Sequence, residues 1–414
     1  MMETKKKKVL ITGKSAKEHA LCIKFKQCEN VGEIYVVPGN DAIKEIADTA
    51  DIREDNIEEL LRFAVDKEID LTVASSEIAV KNDIAGIFQA NGKLIFAPTA
   101  SSAEFALNKS ACKKLLYKLH IPAPRFGIFD KPQQAAEYLK TANLPVIISA
   151  EETSGLQQVC STFNIAKTFT EDLFAFDEKK VVIQEYLYGH TFTLYVITDG
   201  YHALPLNILA NSKFTEDGEG GLLTGGTGAF TPDYKISFNI ISHIMQNVVY
   251  KILKYRRGIP YMGILGIDCV LKDDGKYSIQ NMTSFFRDHD CACVLNLLNE
   301  NIYTLFEACA VGSFADDYEY IDISDNAAVS VVLSAQKNGQ VIQNIDDAED
   351  LEINHINTQK NGYLEYETQK GRILTATCCA PTLTRARKKL YENIELIKYD
   401  GKKYRKDICP LIFE

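Results

Sequence analysis

The sequence predicts a multidomain chain of mixed α/β and α+β class that begins with a doubly wound parallel sheet. Three observations support this expectation. The chain has 414 residues, which is more than one ordinary hydrophobic core accommodates. Its first hundred residues alternate short apolar runs with stretches of helical spacing. Beyond that point strands and longer helices follow in an irregular order, without an internal repeat.

The N-terminal segment contains four apolar runs separated by amphipathic stretches. The predicted strands are KKVLITG, EIYVVPGN, DLTVASS and KLIFAPT, and the predicted helices are AKEHALCIKFKQC, NIEELLRFAVDKEI and AVKNDIAGIFQANG. Parallel sheets of this kind bind ligands beyond the carboxyl ends of their strands, so we expect a site near Gly13 and residues 38–40 and 75–77. No G-x-G-x-x-G follows VLIT, which argues against nicotinamide dinucleotide binding.

The rest of the chain shows the patterns of a central unit and a last, smaller unit. The predicted elements are, in order, a helix (106–120), three strands (145–149, 181–187, 191–197), a long helix (238–254), a strand pair (263–271, 277–282), two further strands (328–336, 372–379) and a helix (383–396). An acidic connector around residues 316–325 separates the last unit from the central one.

Composition excludes several function classes. A net charge of −10 argues against nucleic acid as the main partner. No apolar run is long enough to span a bilayer, and the start MMETKKKKVLITG lacks the pattern of a signal peptide. The 11 cysteines lie mostly inside apolar periodic segments, which indicates reduced, buried thiols. We therefore expect a cytoplasmic protein without membrane contact.

Residues 220–232 read GGLLTGGTGAFTP and contain five of the 24 glycines within nine positions. Glycine allows backbone N–H groups to approach a ligand closely, and phosphate and carboxylate groups are the usual ligands of such loops. A flexible hinge explains the same composition equally well. The stretch is therefore interpreted as a loop, with ligand binding and hinge both open.

Several further motifs, in this order and spacing, resemble the glycinamide ribonucleotide synthetase (phosphoribosylamine–glycine ligase) family. They are KEHAL (17–21), VPGN (37–40), IDLTVASSE (69–77), FAPTASSAEFALNKS (96–110), TGGTGAFTP (224–232), GRILTAT (371–377) and YRKDI (404–408). The resemblance implies an N-terminal α/β domain (1–104), a central ATP-grasp unit (105–318) and a small C-terminal domain (319–414). It also implies purine biosynthesis, in which ATP cleavage drives the ligation of glycine to phosphoribosylamine, with magnesium on the triphosphate.

The resemblance also assigns site residues. The ATP side would comprise Lys109, Gln184, Glu185, Tyr186 and Leu187. The phosphoribosyl side, between the ATP-grasp unit and the first domain, would comprise Glu77, Lys213, Thr224, Gly225, Gly226 and Gly228. Gln280 matches a metal-binding Glu of the family, and Asp268 stands where many other ATP-grasp enzymes, though not usually this family, carry a first carboxylate ligand. The implied ligands are thus ATP, magnesium and a phosphoribosyl or nucleotide molecule, and a homodimer or a purine-enzyme complex is an open possibility.

This chain departs from the family mainly where ATP and magnesium would bind. Ser149 replaces a family lysine, and residues 156–158, Leu-Gln-Gln, replace a Gly-Lys-Gly loop. Glu151 and Glu152 add negative charge where a triphosphate would lie. The metal-binding Glu and Asn of the family match Gln280 and Met282, or Asn281 and Thr283 after a shift of one residue.

These departures lead to a ranked set of functional hypotheses. We predict that magnesium-ATP binds weakly and that the protein is an impaired or non-catalytic relative, a pseudoenzyme that still binds a nucleotide or sugar phosphate. The alternatives are an active ligase and a structural partner of another purine enzyme. RDHDCAC (287–293) is interpreted as a diverged loop rather than a zinc site, because contiguous ligands rarely reach one tetrahedral ion.

Overall fold

The structure is a computed structural model that describes residues 5–151 and 156–410. Glu152, which we expected beside the triphosphate, lies outside the described residues. Within these ranges no helix is long and apolar enough to cross a bilayer. The cysteines are all free thiols, and only Cys379 is not fully buried.

The N-terminal unit is the predicted doubly wound sheet. Its five parallel strands stand in the order β3-β2-β1-β4-β5. The elements are β1 (Lys7–Gly13), α1 (Ala16–Lys26), β2 (Val31–Pro38), β3 (Asp48–Thr49), α2 (Ile57–Asp66), β4 (Leu71–Ala74), α3 (Glu77–Lys81), α4 (Ile84–Ala90) and β5 (Ile95–Phe96). The single helix predicted over 79–92 is two helices, because Asp83 adopts a left-handed conformation with φ of 58°.

The first part of the central unit is a small antiparallel sheet in the order β6-β9-β7-β8, with helices packed against it. Its elements are α5 (Ala100–Leu107), α6 (Lys109–Lys118), β6 (Phe126–Phe129), α7 (Pro132–Leu139), β7 (Val146–Ala150), β8 (Gln157–Cys160), α8 (Phe163–Ala175) and β9 (Val181–Glu185). The helix predicted over 106–120 is broken at Asn108, whose side chain caps α6 by accepting a hydrogen bond from Ala111 N.

A large sheet joins the central unit to the C-terminal one, in the order β14-β13-β10-β11-β12-β15-β19-β16. The central elements are β10 (His190–Thr198), β11 (Ala203–Glu216), β12 (Gly220–Thr231), α9 (Phe238–Ile244), α10 (Tyr250–Tyr255), β13 (Gly263–Leu271), β14 (Tyr277–Thr283), α11 (Asp288–Leu297), α12 (Ile302–Val311) and α13 (Phe314–Asp317). The C-terminal elements are β15 (Ala327–Ala335), β16 (Glu352–His355), β17 (Thr358–Lys360), β18 (Tyr366–Thr368), β19 (Gly371–Ala380) and α14 (Leu383–Ile394). The long helix predicted over 238–254 is α9 and α10 with a π-helical turn between them.

Two segments that we predicted as loops are regular elements. The glycine-rich stretch is strand β12, which pairs with β11 on one side and β15 on the other. RDHDCAC opens helix α11, which packs against α1 and β15 and buries Cys291 and Cys293. Both predictions were wrong because tertiary packing outweighs weak local propensity. The glycines of β12 allow neighbouring elements to approach its backbone closely. The buried cysteines of α11 behave as small apolar residues.

Two buried histidines join the N-terminal unit to the C-terminal one. His19 of α1 accepts a hydrogen bond at Nδ1 from the backbone N–H of His355 (3.3 Å), and the ring centroids lie 5.8 Å apart. Burial lowers the pKa of His19 to about 4 and that of His355 to about 3. The charge of Glu45 raises the pKa of His19 only in part, and the charge of Lys360 lowers the pKa of His355 further.

We expect the contact between His19 and His355 to weaken as the pH falls below about 6.5, before the carboxylates of the protein become protonated. The pKa of an unfolded histidine is about 6.5, and that of each of these histidines is lower in the folded protein. The free energy of unfolding is therefore highest above about pH 6.5, and it falls as the pH drops from there toward the folded-state pKa. The expected loss between pH 7 and pH 5 is roughly 2 kcal/mol for each histidine. Urea unfolding at both pH values measures it, and His355→Asn is expected to show the smaller loss. An equal loss in both proteins would contradict this assignment.

Candidate functional site

A cleft of about 760 Å³ lies where the N-terminal unit, the small sheet and the large sheet meet. Its wall includes Lys17 of α1, Ser149 of β7 and Asp268 of β13, and the C-terminal unit contributes Arg372. The cleft therefore lies beyond the carboxyl ends of the first sheet, where a doubly wound domain is expected to bind its ligand.

Most of the residues proposed from the sequence line this one cleft. Those in its wall are Glu77, Lys109, Gln184, Tyr186, Leu187, Lys213, Thr224, Gly225, Asp268 and Gln280. Glu185, Gly226 and Gly228 are not in the wall. Glu185 belongs to the strand ladder, where its backbone N–H donates to the carbonyl of Arg125 (2.9 Å).

Gly226 and Gly228 have a packing role instead. A Cβ on Gly226 would lie 1.9 Å from Cε1 of buried His289, and the φ of this glycine is +132°. A Cβ on Gly228 would lie 2.7 Å from the carbonyl oxygen of Ser330. These two glycines let β12 pack directly on α11 and β15, so their expected approach to a ligand is replaced by an approach to protein.

Gly225 has the opposite environment. It lines the cleft, and the atoms nearest to a Cβ there would be those of the Arg372 guanidinium, at 3.7–3.9 Å, which is an ordinary contact distance. The side chain of Thr224 donates to the carbonyl of Lys213 (2.8 Å) and accepts from the N–H of Gly226 (3.1 Å). The open part of the glycine-rich strand is therefore short and held in a fixed conformation.

The cleft is electropositive although the chain as a whole is acidic. Its wall carries five acidic side chains and eight basic ones, namely Lys17, Lys109, Lys113, Lys213, Lys235, Arg287, Arg372 and Arg405. A concentration of positive charge in a concave site attracts anions, and it is more informative than the net charge of −10. The arrangement is suited to a phosphate-bearing or carboxylate ligand.

Every acidic side chain in the wall has a basic partner. The ion pairs are Glu77–Lys81 (2.6 Å), Asp268–Arg287 (2.6 Å), Asp288–Arg372 (3.5 Å), Glu219–Arg405 (2.8 Å) and Asp407–Arg405 (2.6 Å). The carboxylates thus hold cationic side chains in place, and a cation that bound to them would compete with these ion pairs.

Asp268 lies at the centre of the largest of these networks. Its Oδ1 accepts from the hydroxyl of Thr193 (2.7 Å), and its Oδ2 accepts from Arg287 (2.6 Å) and from Lys213 (3.1 Å). Burial alone would raise the pKa of this carboxyl, but Arg287 and Lys213 outweigh burial and hold it well below its usual range. Asp268 is therefore ionised and fully engaged by protein groups.

The donor set around Asp268 does not match the preference of magnesium. Gln280, at an expected ligand position, and Asn281, which pairs with Asp268 across β13 and β14, supply neutral amides. The backbone carbonyl of Gln280 accepts from the ammonium of Lys113. Across the described residues, 5–151 and 156–410, no group of three or more His, Cys, Asp or Glu side chains is placed to hold a metal. Hard divalent cations prefer several charged oxygen ligands.

Helix α6 presents two lysines to the cleft, one turn apart. Lys109 donates to the carbonyl of Ala150 (3.1 Å), and Lys113 donates to the carbonyl of Gln280. Burial lowers the pKa of both ammonium groups, to about 8 for Lys113. Our sequence analysis missed Lys113, although its spacing of four residues from Lys109 places both on one helix face.

Glu151 lies at the start of the same helix. Its carboxylate accepts from the N–H of Ser110 (3.2 and 3.1 Å) and so caps α6. We expected this residue to add negative charge to the triphosphate region, and its charge is instead partly offset by the positive end of the helix dipole. The neighbouring wall, formed by Ile147, Ser149 and Val182, is largely apolar and suits a flat base.

The N-terminus of α1 is occupied by a side chain from the other side of the cleft. Asp288 accepts from the hydroxyl of Ser15 (2.5 Å) and from the N–H of Lys17 (3.4 Å). Although burial would raise its pKa, the charges of Lys17 and Arg372 lower it. Ser15 and Lys17 thus donate to a carboxylate of the protein at a helix N-terminus, a place that often binds a phosphate.

Three family models match consecutive parts of the chain. The N domain of phosphoribosylglycinamide synthetase matches residues 7–106, its ATP-grasp (A) domain residues 107–291 and its C domain residues 333–410. A phosphoribosylamine–glycine ligase of Clostridium acetobutylicum is 30% identical, over 97% of this chain and 99% of its own length. The trifunctional purine biosynthetic protein adenosine-3 of Gallus gallus is also 30% identical, over 97% of this chain and 42% of its own length.

Solved structures share the fold. The phosphoribosylamine–glycine ligase of Thermotoga maritima has a TM-score of 0.81 at 23% identity and covers 97% of this chain and 100% of its own. The biotin carboxylase domain of the Hydrogenobacter thermophilus 2-oxoglutarate carboxylase, solved with MgADP, ADP and bicarbonate, has a TM-score of 0.74 at 14% identity over 97% of this chain and 92% of its own. The chain therefore belongs to the phosphoribosylglycinamide synthetase family of purine biosynthesis and has its three-part ATP-grasp architecture.

Proposed function

We propose that this protein binds a phosphate-bearing ligand, a phosphoribosyl compound or a nucleotide, in the cleft between its three units, and that it ligates glycine slowly or not at all. The observation that carries the proposal is the cleft wall, with eight basic and five acidic side chains in a chain of net charge −10. We expect the protein to act in the cytoplasm on small molecules, without nucleic acid or membrane, alone, as a homodimer or with a purine enzyme.

The proposed loss of ligation rests on the ATP side of the cleft. Phosphoryl transfer needs cations that neutralise the charge developing on the transferred group. Ser149 and Gln157 pair directly across β7 and β8, where the resemblance implies basic residues, and both line the cleft. Neutral side chains at these two positions support weak binding of the triphosphate.

One observation favours the second candidate function, an active phosphoribosylamine–glycine ligase. Lys109, Lys113 and Lys213 all face the same cleft as Glu77 and Gln184, so part of an ATP and substrate constellation is present. Three lysines in a concave site supply more charge stabilisation than the same groups do in bulk solvent. The two candidates differ in turnover and not in the shape of the site.

Two measurements on the full-length protein separate these functions. Thermal shift and calorimetric titration with ribose 5-phosphate, ADP and ATP measure ligand binding, and glycine-dependent release of ADP with freshly generated phosphoribosylamine measures ligation. We expect binding of at least one phosphate ligand together with little or no glycine-dependent ADP release. Turnover at an ordinary enzymatic rate, on the order of 1 per second or more, would establish the active ligase instead.

We expect Ser149→Lys alone to leave glycine-dependent ADP release at the level of the unsubstituted protein. One added cation does not supply a metal site, and the part of the chain that the structure describes has no group of three or more His, Cys, Asp or Glu side chains placed to hold a metal. Ser149→Gln, which adds length without charge, is the matched control. Recovery of turnover in the lysine variant only would show that the rest of the ATP site is complete.

A further inference from the structure

We propose that the ion-pair network of Lys213, Asp268 and Arg287 takes the place of a divalent cation, so that the cleft binds its phosphate-bearing ligand in metal-free form. This inference rests on the proposed function, since it concerns how the same cleft holds its ligand. It goes further in naming the form of the ligand, a free phosphate or polyphosphate anion rather than a magnesium complex.

The hydrogen bonds and ion pairs of the network use both oxygens of Asp268, the carboxylate that a metal ion would need as a ligand. Both oxygens of Asp268 accept hydrogen bonds, from Thr193 on one side and from Arg287 and Lys213 on the other. A cation that approached Asp268 would meet two positive groups within 3.1 Å of the same oxygen. The interaction of a divalent ion with these two groups is repulsive at that range, so the network excludes the ion electrostatically.

The network also presents positive charge toward the cleft. The side chains of Lys213 and Arg287 are 21% and 15% exposed, whereas those of Asp268 and Asp290 are 5% and 0% exposed. The carboxylates therefore form a buried layer and the cations form the layer that a ligand touches. Arg287 is locked between them, 2.6 Å from Asp268 and 3.6 Å from Asp290. A fixed guanidinium is well suited to oxygen anions because its N–H groups are preorganised.

Helix α6 completes this surface. The ammonium groups of Lys109 and Lys113 donate to backbone carbonyls, which are neutral, and Lys113 is almost completely buried. Lys113 donates to the carbonyl of Gln280 on β14, the strand that pairs with β13 at Asp268. A buried ammonium group such as that of Lys113, and a partly buried one such as that of Lys109, gain more from an incoming anion than exposed lysines do when their acceptors are neutral. A bound magnesium would compete with them for the same phosphate oxygens.

Calorimetric titration of the full-length protein with ATP, ADP and ribose 5-phosphate, in EDTA and then in excess magnesium, tests the inference. We expect the dissociation constant in EDTA to be equal to or lower than that in magnesium, because metal-free phosphates carry more negative charge. Arg287→Gln is expected to weaken metal-free binding about tenfold and to introduce magnesium dependence, since it removes one of the two positive groups that pair with Oδ2 of Asp268.

Two further variants keep the test decisive if Arg287→Gln does not fold. Lys113→Gln is expected to weaken metal-free binding about tenfold, whereas Lys276→Gln, on the exposed turn between β13 and β14, is expected to change nothing. Binding that is tenfold or more tighter with magnesium would overturn the inference and leave the proposed function standing. An absence of binding in both buffers would overturn the proposed function itself.

Discussion

Replacement of Gly226 by alanine is expected to destabilise the protein by roughly 3–5 kcal/mol, mainly through the fold rather than through the ligand. The added Cβ would lie 1.9 Å from Cε1 of His289, whose ring is completely buried in α11. The φ of +132° is also a conformation that residues with a Cβ rarely adopt. Movement of this part of β12 is restricted, because Gly228, two residues on, is paired with both β11 and β15 and the N–H of Gly226 itself donates to the hydroxyl of Thr224 (3.1 Å).

The matched control lies next to it in the sequence. Gly225→Ala adds the same methyl group, which would meet only Arg372 at 3.7 Å, so we expect a stability change below about 1 kcal/mol. Chemical unfolding followed by circular dichroism and tyrosine fluorescence measures both, since the chain has no tryptophan. Equal stability of the two variants would contradict the packing role of Gly226. A ligand effect confined to Gly225→Ala would show which glycine faces the cleft.

The N-terminal fold was predictable because local and global signals agree there. The longer strands of the parallel sheet contain buried, largely apolar runs, such as the four residues Leu71–Ala74 of β4, and amphipathic stretches separate the runs. The glycine-rich strand was not predictable in this way. Five glycines indicate a loop by local preference, and only the neighbours β11 and β15 make the segment a strand.

The general location of the site was predicted from the resemblance to a known family. A resemblance supplies positions along the chain, and Lys109, Lys213 and Asp268 do line one cleft. What it does not supply is the partner of each side chain. The ion pair of Asp268 with Arg287 joins positions 19 residues apart on β13 and just before α11, a segment we had interpreted as a diverged loop. Charge pairing across elements depends on the fold, so the sequence alone does not reveal it.

Replacement of Asp268 by asparagine distinguishes a structural ion pair from a metal ligand by the sign of its effect. In the metal-free protein we expect a loss of about 3 kcal/mol, because Arg287 and Lys213 would lose their shared counter-charge inside the protein. A carboxylate kept for a metal behaves in the opposite way, since its removal from the metal-free protein relieves unfavourable desolvation. Urea unfolding in EDTA measures the difference, with Asp274→Asn at an exposed turn as the control that changes stability little.

The same variant has a second effect that general damage to the fold does not produce. When Asp268 no longer neutralises them, Lys213 and Arg287 present more positive charge to the cleft, so metal-free ribose 5-phosphate or ADP is expected to bind more tightly although the protein is less stable. Stability and affinity then change in opposite directions. If both fall together, Asp268 acts on the ligand by a different route, such as direct contact. If stability rises in EDTA, the carboxylate is a metal ligand and the ion pair only fills its place between turnovers.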